Sequence, residues 1–173
     1  MARIPESFGI PEKAALPGMI EVRKATPADA GTLLPMVRAY WRHDGLSGFD
    51  SGSLTSQLVR LLSDSRLGDG WMALSRGTPV GYLLAVYVFS LEHLGLTAEI
   101  DELFVLPEAR GNGAGARLLE RAEAQFARIG CTNVSLQLSR DNEAARRFYQ
   151  RHGFSERSGF GLLDKSLRSP NSG

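Results

Sequence analysis

A strand that runs into a glycine-rich turn and then directly into a helix is the feature that most restricts the fold of this chain. Residues 103–115 read LFVLPEARGNGAG, with glycine at positions 111, 113 and 115. Glycine lets the backbone come close to a ligand, and the free N–H groups of a helix start, at the positive end of its dipole, suit a phosphate. Arg110 adds a positive charge at the edge of the turn. The pattern predicts a phosphate-binding turn, because a merely tight connection needs one glycine rather than three.

The spacing of the glycines distinguishes between kinds of nucleotide site. A P-loop needs a Gly-Lys-Ser/Thr sequence, which this stretch lacks. Gly111-x-Gly113-x-x-Ala116 does match the dinucleotide fingerprint of Rossmann folds. That fold carries its fingerprint in its first βαβ unit, with an acidic residue about 20 positions further on. Here the motif follows 110 residues of other sequence and position 131 is cysteine, so a nicotinamide-dependent enzyme is the weaker alternative.

Length and composition indicate one folded domain. The chain has 173 residues, of which 43% are hydrophobic and 23% are charged, so it holds enough apolar material for a substantial core. Residues 1–18 contain three prolines and no periodic pattern, and we expect them to be a flexible lead-in. Residues 19–168 form the expected domain, and residues 169–173 form an expected flexible tail.

The same composition argues against several classes of function. Twenty basic and 19 acidic residues give a net charge of +1, unlike a protein built to coat nucleic acid. The single Cys131 and three scattered histidines provide neither a disulfide nor a metal-ligand spacing. No apolar run approaches the roughly 20 residues that span a membrane, and the N-terminus does not resemble a signal peptide. We therefore expect a cytoplasmic domain with no metal, no nucleic-acid partner and no membrane contact.

Periodicity predicts strands and helices along the domain. The sequence TPAD at 26–29 is typical of a capping box, and the helix that it starts is predicted to end at 44–45. Alternating apolar residues on both sides of a turn at 77–79 predict a hairpin. In chain order the predicted elements are a strand at 20–25, helices at 27–44 and 54–62, strands at 71–75, 80–91 and 97–106, a helix at 113–129, a strand containing Val134, Leu136 and Leu138, a helix at 141–152, and short strands near 154 and at 160–167.

A second motif lies on the helix predicted at 141–152. It reads Asn142-x-x-Ala145-x-x-Phe148-Tyr149-x-x-x-Gly153-Phe154. Together with Arg110-x-x-Gly113-x-Gly115 at a strand-to-helix turn, it resembles the two signatures of the GNAT N-acetyltransferase superfamily, and the element order agrees from about residue 20 to residue 167. The resemblance implies an α/β fold. It would be a single-domain mixed, mostly antiparallel central sheet, splayed in the middle between the strand of Leu103 and the strand of Val134, and flanked by about four helices.

The resemblance also implies a co-substrate and the residues that hold it. Acetyl-coenzyme A would lie in the gap of the splayed sheet, with its pantetheine amides paired to the backbone of Phe104 and Val105. Asn142 would contact coenzyme A, although its place near a helix start is equally that of an N-cap. The residues implied to hold the pyrophosphate are Arg110, Gly111, Asn112, Gly113, Ala114 and Gly115.

Tyr149 stands where the family commonly has a general acid. By pattern alone it is a core aromatic, because Ala145, Phe148 and His152 share its helical stripe. The resemblance favours the catalytic role instead. The chemistry is suitable, since a phenol with a pKa near 10 can protonate a departing thiolate whose thiol has a pKa near 8.5.

Three carboxylates lie in the strand predicted at 97–106 and are candidates for the base that deprotonates an amine. A simple two-residue period places Glu99 and Asp101 on one face and Glu102 on the other. The catalytic candidates, beside Tyr149, are Asp101 and Glu102. For each carboxylate, pairing with an arginine or a backbone group is an equally open alternative.

Charge also divides along the chain. Residues 43–108 hold nine acids and three bases, a net charge of −6, whereas residues 109–157 hold nine arginines and five acids, a net charge of +4. An acidic half around the acceptor would favour a cationic amine. Tyr40, Trp41 and Asp44 are candidate pocket residues there, or simply core and cap. Scattered surface charge is the plain alternative.

These observations together predict an N-acetyltransferase. It would move an acetyl group from acetyl-coenzyme A to a primary amine on a small cationic molecule, by direct transfer in a ternary complex. The alternatives are a non-catalytic coenzyme A-binding regulatory module and a protein or peptide N-acetyltransferase. The short C-terminal strands predicted above would leave a sheet edge for a second copy to cover, which with the resemblance favours a homodimer.

Overall fold

The computed structural model describes residues 19–167. The predictions for residues 1–18 and 169–173 lie outside these residues. The elements within them are β1 (Ile20–Lys24), α1 (Ala30–His43), α2 (Ser51–Ser63), β2 (Gly68–Ser75), β3 (Thr78–Ser90), β4 (Gly95–Val105), α3 (Ala114–Arg128), β5 (Asn133–Leu136) and α4 (Glu143–Arg151), with short 3₁₀ turns at Pro27–Asp29 and Pro107–Ala109.

The strands form one open, mixed sheet in the order β1-β2-β3-β4-β5. Neighbours from β1 to β4 run antiparallel, and β5 runs parallel to β4. The predicted fold class, a mostly antiparallel mixed sheet with four helices, is confirmed. Contacts between residues divide the described part of the chain into two compact units, with the boundary between Gln137 and Leu138.

The sheet opens beside β4. β5 pairs with only the first part of β4, from Thr97 opposite Asn133 to Ile100 opposite Leu136. β4 then continues for five residues to Val105, and within the described residues no strand pairs with that side of it. This is the splay that the resemblance to the GNAT superfamily implied, and it leaves backbone groups of β4 available to a ligand.

Helices cover both faces of the sheet in the first unit. Trp71 and Met72 are neighbours on β2, so their side chains point to opposite faces. Met72 belongs to the core cluster that α1 and α2 complete, whereas the Trp71 ring packs edge-on against Phe126 of α3, with centroids 5.7 Å apart. The core of the first face includes Leu33, Met36, Val37, Leu58, Met72, Tyr82, Leu84 and Phe104.

Local signals explain where the first two helices begin. The Asp29 carboxylate accepts hydrogen bonds from the Thr26 N–H at 2.8 Å and from the Thr26 hydroxyl at 2.9 Å, which satisfies a donor that the helix start leaves free. α2 is longer than predicted because Asp50 caps it: the Oδ1 atom accepts from the Ser53 N–H at 2.7 Å. The prediction began this helix at its first apolar residue, Leu54, and overlooked the cap.

Two predicted features are wrong. The turn between β2 and β3 is formed by Arg76 and Gly77, both with positive φ, rather than by residues 77–79, because a two-residue hairpin turn needs such angles at both centres. None of the described residues 154–167 lies in a strand, and Phe160 and Leu163 are exposed. A strand needs a paired edge as well as apolar side chains, and Gly159 and Gly161 weaken this segment further. The described residues therefore do not contain the C-terminal sheet edge that a second copy was expected to cover.

Candidate active site

A β-bulge lies at the point where the sheet opens. Leu84 on β3 stands opposite Glu102, but the next residue, Ala85, stands opposite Ile100. Asp101 is therefore an extra residue on β4, without a partner of its own in the register. A bulge bends its strand and turns the side chains around it, and bulges are common beside active sites.

The bulge changes which carboxylates share a face. Glu102 is opposite Leu84, and Glu99 is opposite Val86, two positions further along β3. Positions two apart on a regular strand point the same way, so Glu99 and Glu102 share a face. The prediction that Glu99 shares a face with Asp101 and that Glu102 takes the other is wrong, because the extra residue shifts the alternation by one.

Glu102 is half-buried and both of its carboxylate oxygens accept a hydrogen bond. The Tyr82 hydroxyl donates to Oε2 at 2.6 Å, and the Trp41 indole N–H donates to Oε1 at 3.2 Å. Burial raises the pKa of this carboxyl to about 7, and the neighbouring Asp101 and Asp44 carboxylates contribute to the rise, while the two hydrogen bonds oppose it. A carboxylate with a pKa near 7 can accept a proton and release it again at neutral pH.

The other two carboxylates of β4 have different surroundings. The Glu99 Oε1 atom accepts a hydrogen bond from the Gln137 side-chain amide at 3.1 Å. The Asp101 side chain is exposed, yet desolvation by the surrounding protein raises its pKa and the Glu99 carboxylate raises it further. Within the described residues, only Glu102 of the three accepts hydrogen bonds at both of its carboxylate oxygens.

The end of α1 brings further acidic and aromatic groups to this region. Burial raises the pKa of Tyr40, and Asp44, Glu102 and Asp101 raise it further through their negative charge. The Tyr40 ring lies 6.1 Å from the ring of Phe104, measured between centroids. The candidate pocket residues Tyr40, Trp41 and Asp44 therefore all lie within the electrostatic or hydrogen-bonding range of Glu102.

The glycine-rich turn follows β4 directly. Gly111 and Gly113 have φ angles of +79° and +80°, and a Cβ at either position would meet no atom within 4 Å. Backbone conformation therefore requires glycine there, and the space beside it is open. The first N–H groups of α3, from Ala114 onward, have no acceptor inside the helix. Asn112 is exposed, and Gly115 lies in the first turn of α3.

Arg110 is held at the edge of this turn. Its Nε donates to the Val105 carbonyl at 3.0 Å, and its guanidinium lies 5.7 Å from the centre of the Phe104 ring. Its two Nη groups make no hydrogen bond or ion pair within residues 19–167. A guanidinium with free donors next to free helix N–H groups is a donor set that suits a pyrophosphate.

Asn142 and Tyr149 belong to the second unit. Asn142 caps α4, since its Oδ1 accepts from the Ala145 N–H at 3.1 Å, as the plain alternative predicted. The Tyr149 ring packs edge-on against Phe148 and Phe154, with centroids 5.2 Å and 5.4 Å away. Burial raises the pKa of the Tyr149 phenol to about 12, so the hydroxyl keeps its proton at neutral pH.

The described part of the chain contains no helix long and apolar enough to cross a membrane. It also holds no group of three or more histidine, cysteine or acidic side chains arranged to bind a metal ion.

Comparison with known proteins agrees with this geometry. Residues 35–154 match the family model described as the acetyltransferase (GNAT) family. The chain belongs to the GNAT acetyltransferase family. This GNAT chain is an acyltransferase, and its homologues are named N-acetyltransferases.

Two relatives and one solved structure show what this GNAT chain is similar to. An uncharacterized N-acetyltransferase, YhfO, from Bacillus subtilis (strain 168) is 27% identical over 82% of this chain and 93% of its own length. The peptidyl-lysine N-acetyltransferase YjaB from Salmonella typhimurium is 32% identical over 79% of this chain and 83% of its own. The structure of a predicted acetyltransferase with acetyl-CoA from Clostridium acetobutylicum is 19% identical and has a TM-score of 0.72, covering 84% of this chain and 96% of that one, and so shares the fold.

Replacing Gly113 by alanine tests whether this turn of the GNAT chain binds coenzyme A. We expect the dissociation constant for coenzyme A to rise about 10- to 100-fold, because one or two charge-assisted hydrogen bonds would be lost. Gly130→Ala is the matched control, since Gly130 has a φ of +81° with equally open space but lies beyond the other end of α3. Calorimetric titration should leave the control unchanged, and an equal weakening in both variants would contradict a specific role for the turn.

The hydrogen bond from Tyr82 to Glu102 could not be predicted from the sequence. Tyr82 is one of several aromatic residues in an apolar run, and nothing in that run distinguishes it. Tyr82 stands opposite Phe104, two residues from the pair of Leu84 and Glu102, so its nearness to Glu102 depends on the register of β3 and β4. Trp41 was a candidate pocket residue, but its hydrogen bond to Glu102 joins residues 61 positions apart and has no local signal.

Proposed function

We propose that this enzyme transfers the acetyl group of acetyl-coenzyme A directly to a primary amine, and that Glu102 accepts the proton of that amine. One observation carries the proposal. Glu102 is a half-buried carboxyl with a pKa raised to about 7, and it lies beside the bulge where β4 loses its β5 partner. A base with such a pKa is well matched to neutral pH, because it is partly ionised and still a useful proton acceptor.

Each part of the chain has a proposed task in the transfer. The turn at 110–115 binds the pyrophosphate, and the backbone of β4 at Phe104 and Val105, where β4 has no β5 partner, pairs with the pantetheine amides. Backbone N–H groups at the opening polarise the carbonyl oxygen. Glu102 takes one proton from the protonated amine, and the freed nitrogen bonds to the carbonyl carbon as the carbon–sulfur bond breaks. Tyr149 gives its proton to the sulfur and regains one from the newly bonded nitrogen, and Glu102 later releases its proton to solvent.

The acceptor that these surroundings favour is a small cationic amine. Asp44, Asp101 and Glu102 contribute negative charge near the proposed point of transfer, and all three lie in the region of the chain with a net charge of −6. Negative charge attracts a protonated amine and favours a second positive group on the same molecule. A peptidyl lysine is the second candidate, since it is also a primary cationic amine and the relative YjaB is named for that activity.

Release of free thiol from acetyl-coenzyme A distinguishes these possibilities. The assay compares no amine, a panel of small diamines and aminoalkyl compounds, and lysine-containing peptides, each with mass spectrometry of the product. Faster thiol release with small amines and an acetylated amine product support the proposal. Release with peptides alone favours the second candidate. Binding of acetyl-coenzyme A without release by any amine would indicate the non-catalytic alternative.

The cytoplasmic location and the homodimer stay predictions. No second copy is needed to form the environment of Glu102, whose hydrogen-bond donors both come from the same chain.

A further inference from the structure

Two aromatic side chains hold the Glu102 carboxylate from the side of the core. Tyr82 is fully buried, with none of its surface exposed, and its ring packs against Phe104 with centroids 6.3 Å apart. Its hydroxyl donates to Oε2 of Glu102 at 2.6 Å, within the range of strong O–H···O⁻ hydrogen bonds. Trp41 donates to the other oxygen at 3.2 Å, and its indole is itself fixed by an edge-on contact with Phe49.

This arrangement leaves Glu102 able to react. A carboxylate oxygen offers two lone-pair positions, so one hydrogen bond to each oxygen leaves one position free on each. Because both donors approach from residues that are packed in place, the plane of the carboxylate is fixed and its free positions have a set direction. A flexible glutamate on an open strand would have no such preferred direction.

Two of the titratable groups around Glu102 oppose its ionisation. Asp101 on β4 and Asp44 at the end of α1 raise its pKa through their negative charge. Tyr40 of α1 is uncharged at neutral pH, and the neighbouring His43 ring packs near Phe104 with centroids 6.3 Å apart. The hydrogen bonds from Tyr82 and Trp41 are therefore the interactions that favour the charged form.

We propose that Tyr82, assisted by Trp41, is a positioning residue that orients the Glu102 carboxylate and favours its charged form. The proposal rests on the proposed function in one respect, namely that Glu102 is the base of the reaction. Tyr82 itself takes no part in proton transfer in this account. Its full burial, with its hydroxyl bound to Glu102, separates it from solvent and from the acceptor amine.

The experiment follows the titration of Glu102 directly. Carbon NMR of protein labelled at the glutamate carboxyl carbons reports the ionisation of each glutamate, and the signal of Glu102 is the one missing in Glu102→Gln. In Tyr82→Phe we expect the midpoint of this titration to rise by about one to two pH units, as loss of one hydrogen bond to a charged group implies. The pH below which kcat/KM declines should rise by the same amount.

Tyr87→Phe is the matched control for this change. Tyr87 lies on the same strand and also donates its hydroxyl to a carboxylate, Asp69, at 2.7 Å, but its ring packs against Phe126 on the opposite face. Like Tyr82→Phe, this substitution removes one phenolic hydroxyl, but it should leave the titration midpoint of Glu102 unchanged. A general effect of weakened packing would shift the titration midpoint of Glu102 equally in both variants.

Two results would overturn the proposal: an unshifted Glu102 midpoint in folded Tyr82→Phe, or an equal shift in Tyr87→Phe. If Tyr82→Phe does not fold, Trp41→Phe takes its place, with a smaller rise expected from its longer hydrogen bond and an unchanged midpoint counting against the proposal. A different result would contradict the proposed function. If Glu102→Gln keeps full activity, Glu102 is not the base, whatever its titration does in the tyrosine variants.

Discussion

Replacing Glu102 by glutamine is expected to lower kcat/KM for the amine by about 10²- to 10⁴-fold, the range typical of a lost general base. The amide keeps the size of the side chain but cannot accept a proton. The fold should survive, because the amide oxygen can still accept from the Tyr82 hydroxyl, and the weaker hydrogen bond from Trp41, at 3.2 Å, is the one that is lost. Steady-state rates with the best amine of the panel, measured at pH 8, give the result.

The matched control for this change is Glu21→Gln. Glu21 is an exposed residue of β1, and its substitution makes the same chemical change on a strand outside the candidate site. Its activity should equal that of the parent, and the affinity of both variants for coenzyme A should stay the same. A Glu102→Gln enzyme within about threefold of the parent, far short of the range for lost proton transfer, would remove Glu102 from the mechanism. Asp101→Asn would then be the next variant to measure.

Tyr149→Phe is expected to reduce turnover by about 10²- to 10⁴-fold if Tyr149 protonates the departing thiolate. The change removes one hydroxyl and keeps the ring that packs against Phe148 and Phe154. Binding of acetyl-coenzyme A should change little. Turnover, affinity and melting temperature have to be measured on the same preparation, because replacing a purely structural tyrosine lowers the stability of the protein rather than its activity.

Tyr87→Phe again provides the control, since it removes a hydroxyl that holds a structural carboxylate. It should lower the melting temperature without a large effect on turnover. If Tyr149→Phe behaves in the same way, with turnover close to that of the parent, Tyr149 is a core residue. The thiolate then takes its proton from water or from another group.

The turn and the helix that follows it could be predicted closely from the sequence. The glycines at 111, 113 and 115 and the apolar stripe of Leu118, Leu119, Ala122 and Phe126 are local signals, and the stripe is buried as expected. The helix was expected at 113–129 and spans Ala114–Arg128. Such features depend on neighbouring residues alone, so one sequence is enough to reveal them.

The environment of Glu102 could not be predicted in this way. The extra residue at Asp101 leaves no mark on the hydrophobic pattern, because a bulge is defined by the partner strand. The two donors to Glu102 come from positions 41 and 82, and only the paired sheet with α1 on its face brings them together. The pKa of the carboxyl follows from that assembly.

In the segment after α4, the sequence predicted strands that the described structure does not contain. Phe154, Phe160 and Leu162 have the apolar alternation of short strands, but the described structure gives them no paired edge. High β-propensity shows that a segment can form a strand, but the strand forms only where a partner strand pairs with it. This segment was one of the two grounds for the expected homodimer, so the oligomeric state needs its own measurement by light scattering.

The dependence of kcat/KM on pH, measured for the parent enzyme and for Glu102→Gln with the same amine, tests the central claim most directly. Below its pKa the carboxyl is protonated and cannot accept the amine proton, so activity should fall as the pH drops through that value. We expect the parent profile to gain one unit of slope below about pH 7, the value to which burial raises the pKa of Glu102, and we expect the variant to lack this break. A break at the same pH in both enzymes would contradict it.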